Sequence, residues 1–136
     1  MSGVPKQVRA GKRFNFAPTH KTVEDVLKDH DLAALGDAYT NLVYSLYLSI
    51  RIGKPTGAKA SGQLLSKALK QAGLRVRVSP RSDRHRQADA AEALLAYAWL
   101  QGHTTIMESV RTLSTCERVV DAFSSLLVEA KKRLGL

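Results

Sequence analysis

Two apolar helical stretches of this chain each carry acids where a core should be. Residues 32–46, LAALGDAYTNLVYSL, hold one acid, Asp37, within an apolar run, and residues 86–102, RQADAAEALLAYAWLQG, place Asp89 and Glu92 three apart in an Ala/Leu-rich helix. A carboxylate on an apolar helix loses hydration and needs a partner or a metal. The i, i+3 spacing projects Asp89 and Glu92 from one helix face. Two such helices bringing acids to one greasy surface suggest a divalent-metal site. The plainer alternative pairs Asp37 with Arg84 or Arg86 and leaves Asp89 and Glu92 on a solvated face.

The rest of the chain also reads as helix. Thr22 can cap a first helix whose opening turn holds Glu24 and Asp25. A second runs from about Leu32 to Ile52 and stops before Gly53 and Pro55. A third runs from about Ser61 to Ala72, with Leu64, Leu65, Ala68 and Leu69 on its apolar face and Gly73 ending it. A fourth spans about Arg84 to Leu100. Thr104 or Thr105 opens the last helical stretch, with a break expected near Ser114. The alternating RVRV at 75–78 is short and closely followed by Pro80, so it reads as loop. The expectation is an all-α bundle: a basic, flexible arm over 1–21 and one domain over 22–136.

Charge narrows the function. The net charge is +9, unevenly spread: five bases and no acid over 1–21, five acids and one base over 22–50, ten bases and one acid over 51–86. A basic middle between two acid-bearing helices suits a polyanion cleaver, with bases on phosphates and acids on a metal. Cys116 is the sole cysteine, which excludes an internal disulfide or cysteine zinc site. The run from Leu42 to Ile50 is too short, and too interrupted by Tyr44, Ser45, Tyr47 and Ser49, to span a membrane. The first residues lack a signal-peptide apolar region. A cytoplasmic protein with no membrane partner is the simple reading.

Two motifs carry a family resemblance. Leu35 to Ala38 read LGDA on a long helix, and Asp89 to Leu100 read DAAEALLAYAWL on a later one. In order and spacing they resemble the two signatures of the ribonuclease III family of double-stranded-RNA endonucleases. The likeness runs from about Asp31 to Gly102 and is nearest to the short, single-domain branches, the archaeal ribonuclease III-like proteins and mini-ribonuclease III. Full-length bacterial relatives carry further acids where this chain has Ala33 and His30. The resemblance implies a ribonuclease III-like helical domain over 22–136 without a separate double-stranded-RNA-binding domain. It also implies a two-fold homodimer and cleavage of double-stranded or structured RNA to 5′-phosphate and 3′-hydroxyl ends.

On this reading Asp37, Asp89 and Glu92 are the metal ligands, for Mg2+ or else Mn2+, with Asp37 and Glu92 the catalytic acids. Lys54, Lys59, Lys67 and Lys70, with Arg84, His85 and Arg86, are the RNA-binding candidates. Arg75, Arg77 and Arg81 extend the same basic surface. His85 and Arg86 could equally touch the scissile phosphate or merely start the helix. Asn41, one turn after Asp37, could orient a water or ligand, or hydrogen-bond across a helix interface. His20, His30 and His103 read as surface residues. Tyr44, Tyr47, Tyr97 and Trp99 read as core or subunit interface. Two rivals stand beside this function. One is a non-catalytic, ribosome-associated RNA-binding protein on the same fold. The other is an all-α nucleotide pyrophosphohydrolase, which would want a second acid pair at i, i+3.

Overall fold

A central helix, packed against four of the other five, organises the molecule. The computed structural model describes residues 14–136, which form six α-helices and no strand among the described residues. They are α1 (Val23–Leu27), α2 (His30–Ile52), α3 (Gly62–Gln71), α4 (Arg84–Leu100), α5 (Ile106–Thr115) and α6 (Val119–Leu134). The all-α expectation holds. The RVRV segment is a loop with one 3-10 turn at Arg75–Arg77. No helix among the described residues is long and apolar enough to cross a membrane.

The helices start where short polar side chains cap them. Thr22, Asp29, Ser61, Asp83 and Thr105 each accept the backbone N–H three residues on, which satisfies one of the orphan donors of a helix start. Helix α2 ends at Gly53, whose φ of 78° is a left-handed conformation that a side chain resists. The break between α5 and α6 lies at Cys116 to Arg118, later than the expected break near Ser114. The Ser114 hydroxyl donates back to the Val110 carbonyl, so that residue stays in the helix.

Helix α4 is buried along nearly its whole length, from Gln87 and Ala88 through Ala98 and Leu100, because α1, α2, α3 and α6 all pack on it. Its alanines, of which Ala90, Ala91, Ala93 and Ala96 are fully buried, let these neighbours approach closely. Phe123, Leu127, Leu65, Leu69, Leu94 and Leu113 fill the space between helices. Burying each such side chain is worth roughly 1.5–3 kcal/mol. Tyr47 and Tyr97 are core residues, one of the two placements read for them, Tyr39 joins them, and Tyr44 and Trp99 are half-buried at the edge.

Of the arm expected over 1–21, residues 1–13 lie outside the described residues. Residues 14–21 are held against α4. Phe14 packs on Trp99 at a centroid distance of 5.7 Å, Ala17 is buried, and Gln101 donates to the Pro18 carbonyl. The His20 amide donates to the Tyr97 hydroxyl, and its ring pairs with Asp29 at 2.9 Å. Aromatic stacking at Phe14, burial of Ala17 and hydrogen bonds to Gln101, Tyr97 and Asp29 thus join this segment to α4 and to the cap of α2.

Candidate active site

Gly36 sets the distance between the two acid-bearing helices. A Cβ built on it would run into the Glu92 carbonyl oxygen and stand 3.0 Å from the Glu92 Cβ. Only glycine lets α2 lie this close to α4 at that point. Asp37 follows directly, turned away from the contact onto the rim of a pocket of about 400 Å³. That pocket is lined by His30, Ala33, Ala34, Asp37, Asp89 and Glu92. The three acids expected to meet do line one pocket.

Their environments differ from the expectation of three acids in an apolar pocket. Glu92 is buried, with only 6% of its surface exposed, whereas Asp37 and Asp89 are exposed. The reason is rotational. Glu92 lies at the α2–α4 contact, while Asp37 is one residue past it and Asp89 nearly a turn before it. Among the described residues none of the three takes part in an ion pair, so the alternative of Asp37 paired with Arg84 or Arg86 does not hold. As placed, no three His, Cys, Asp or Glu side chains among the described residues are close enough to grip one ion. Asp37 and Asp89, being exposed, have side-chain freedom to turn inward. Three carboxylates on one pocket, one of them buried without a positive partner, suit a hard divalent cation.

Burial pushes the Glu92 carboxyl up to about 8, the neighbouring Asp37 and then Asp89 carboxylates add to the rise, and the Lys59 ammonium opposes it. A carboxyl raised in the folded state stabilises the fold below its unfolded value and loses that contribution as pH rises through the folded value. With divalent ions chelated, the protein should therefore melt at lower temperature as pH climbs from 4.5 toward 8. The slope should approach at most about 1.4 kcal/mol per pH unit. Melts of wild type and Glu92→Gln in EDTA check this, since only the wild type should carry that slope.

His30 is both a surface residue, as read, and part of the pocket lining. The available signal was spacing: it stands seven residues, two helical turns, before Asp37 and so shares its face. Asn41 bonds within its own helix and to the segment that follows α2, not across a helix interface. Its Nδ2 donates to Asp37 Oδ1 at 3.2 Å, and its Oδ1 accepts the Ala60 amide at 2.9 Å.

The basic candidates are not all brought together. Lys59 lies next to Ala60, beside the acids. Lys54 lies past the far end of α2, about 24 Å from Asp37 at the usual helical rise. Lys67 and Lys70 are exposed one turn apart on α3, and Lys67 shares a groove with Arg118 of the α6 start, a cation the sequence reading passed over. Arg84, His85 and Arg86 are exposed in the first turn of α4, the helix that carries Asp89 and Glu92. Cations at a helix N-terminus oppose the helix dipole, so Arg84 and Arg86 do not stabilise this helix start.

The family model described as Ribonuclease III matches residues 30–135, a span that takes in both acid-bearing helices and the basic segment between them. No curated protein matches the chain. With its all-helical fold and both motifs on one pocket, the chain belongs to the ribonuclease III family.

Proposed function

We propose that the protein is an endoribonuclease that hydrolyses double-stranded or structured RNA with a divalent cation, Mg2+ or alternatively Mn2+. The observation that carries this reading is the shared pocket of Asp37, Asp89 and Glu92. Those three carboxylates would hold the ion. Bound there, the cation would supply an activated water and charge cover for the phosphate. The chain's own part is to keep the acids together: Gly36 fixes the helix spacing, and Asn41 restrains the Asp37 carboxylate. In the reaction the water oxygen bonds to phosphorus as the bond to O3′ breaks, and a proton passes to O3′. The ends are 5′-phosphate and 3′-hydroxyl.

RNA would be gripped through its backbone. Arg84 and Arg86, with His85 between them, stand about one turn from Asp89, and the Lys59 charge acts on Glu92. Phosphate bound there would also relieve the clash between those cations and the α4 dipole. A-form duplexes are recognised by shape, phosphates and 2′-hydroxyls, so an aromatic stacking platform is not required.

A duplex presents two antiparallel strands, and a two-fold homodimer would give each an equivalent site. Exposed Leu35 next to the Gly36–Asp37 pair, with exposed Phe14 and Phe16, offers apolar surface for such a pairing. Light scattering on the protein, alone and with a short RNA duplex, tests both parts. The protein should run at about 30 kDa, twice the 14.9 kDa chain mass, and gain the mass of one duplex. A 14.9 kDa species, or no uptake of duplex, would contradict the reading.

A further inference from the structure

The segment joining α2 to α3 runs back along α2 on a ladder of side-chain bonds. Ser49 Oγ accepts the Thr56 amide at 2.9 Å, Ser45 Oγ accepts the Ala58 amide at 2.9 Å, and Asn41 Oδ1 accepts the Ala60 amide at 2.9 Å. The Ser45 hydroxyl also donates to the Ala58 carbonyl at 3.0 Å. Each step of four residues on the helix meets a step of two on the segment. Four helical residues rise about 6.0 Å. Two extended residues rise about 6.6 Å. The two repeats match closely enough for three successive rungs.

The ladder sorts the segment into two sides. Thr56, Ala58 and Ala60 face α2 and are partly or fully buried, while Pro55, Gly57 and Lys59 are exposed. A segment without regular structure can leave its backbone groups to water. Here three side chains of α2 fix its register instead. The last rung is shared with the acidic pocket, because Asn41 bonds both Ala60 and Asp37.

We propose that Asn41, Ser45 and Ser49 are positioning residues that register Lys59 at the edge of the acidic pocket, where it contacts the phosphate backbone of bound RNA. The proposal rests on the RNA reading above and adds how the basic segment is aligned with the acids. Lys59 is close enough for its charge to act on Glu92. A loose segment would let that ammonium wander and lose the register between RNA grip and carboxylates.

The test is a thermodynamic cycle on duplex-RNA affinity, read against salt with divalent ions chelated so that binding alone is measured. Wild type, Lys59→Ala, the Ser45→Ala/Ser49→Ala pair and the combined triple variant are compared. Each lost phosphate contact should flatten the log–log salt slope by about 0.9, the B-form value. Lys59→Ala and the serine pair should each weaken binding several-fold with that loss of slope. The triple variant should be no weaker than Lys59→Ala. Exchange of the Thr56 and Ala58 amides should quicken in the serine pair, and Ser45→Thr with Ser49→Thr should restore affinity. Fully additive losses, wild-type affinity in the serine pair, or unchanged amide exchange would each overturn the proposal. Failure of the wild type to bind duplex would overturn the RNA reading and this one with it. Additive losses in a binding-competent protein would overturn the ladder alone.

Discussion

Glu92→Gln should lower duplex-RNA cleavage in magnesium on the order of a thousandfold while leaving the protein folded and able to bind RNA. The change keeps side-chain size and removes one charge from the acid set. Asp37→Asn should do the same from the other helix. The two variants should part in stability. Glu92 is buried beside two other carboxylates, so its ionised form is unfavourable near neutral pH, and Gln relieves that. With divalent ions chelated, Glu92→Gln should melt higher than wild type near pH 8. Asp37 is exposed and its replacement should move the melting temperature little. Added magnesium should raise the wild-type melting temperature and not that of Glu92→Gln. Near-wild-type cleavage in either variant would show that the acids are not the reacting centre.

Gly36→Ala should be the most damaging single methyl in the protein. Alanine is the better helix former by about 1 kcal/mol, so an unconstrained Gly36 would gain from the change. The added Cβ would instead meet the Glu92 backbone, which is rigid and central to the core. Helices α2 and α4 must then separate, at a net cost of about 2–3 kcal/mol. That movement also pulls Asp37 from Asp89 and Glu92. Denaturant unfolding should show the loss of stability, and cleavage should fall well beyond what the folded fraction explains. A variant as stable and active as wild type would mean that the close approach at Gly36 does not set the pocket.

What the sequence made legible was what is local. The Thr22 cap acts within three residues, and the starts of α3 and α4 fall within one residue of where the sequence put them. The α4 boundaries and the two acid-bearing motifs were legible for the same reason. The unread features depend on partners far along the chain or on rotation about a helix. Asp37 and Glu92 both sit in apolar runs, yet only Glu92 is buried, because Gly36 takes the α2–α4 contact and Asp37 points past it. His30 and Ala33, which the family resemblance set at positions of further acids, line the pocket through two turns of α2. Ser45 and Ser49 read as polar interruptions of an apolar stretch, whereas they are rungs for backbone groups 7 and 13 residues on.

The most direct test of the central claim is incubation of the protein with an end-labelled RNA duplex, with magnesium and with EDTA. The expected result is cleavage in magnesium to fragments with 5′-phosphate and 3′-hydroxyl ends, and an intact duplex in EDTA. An intact duplex in both magnesium and manganese, or cleavage that persists in EDTA, would contradict the assignment of Asp37, Asp89 and Glu92 as a metal-dependent RNA-cleaving site.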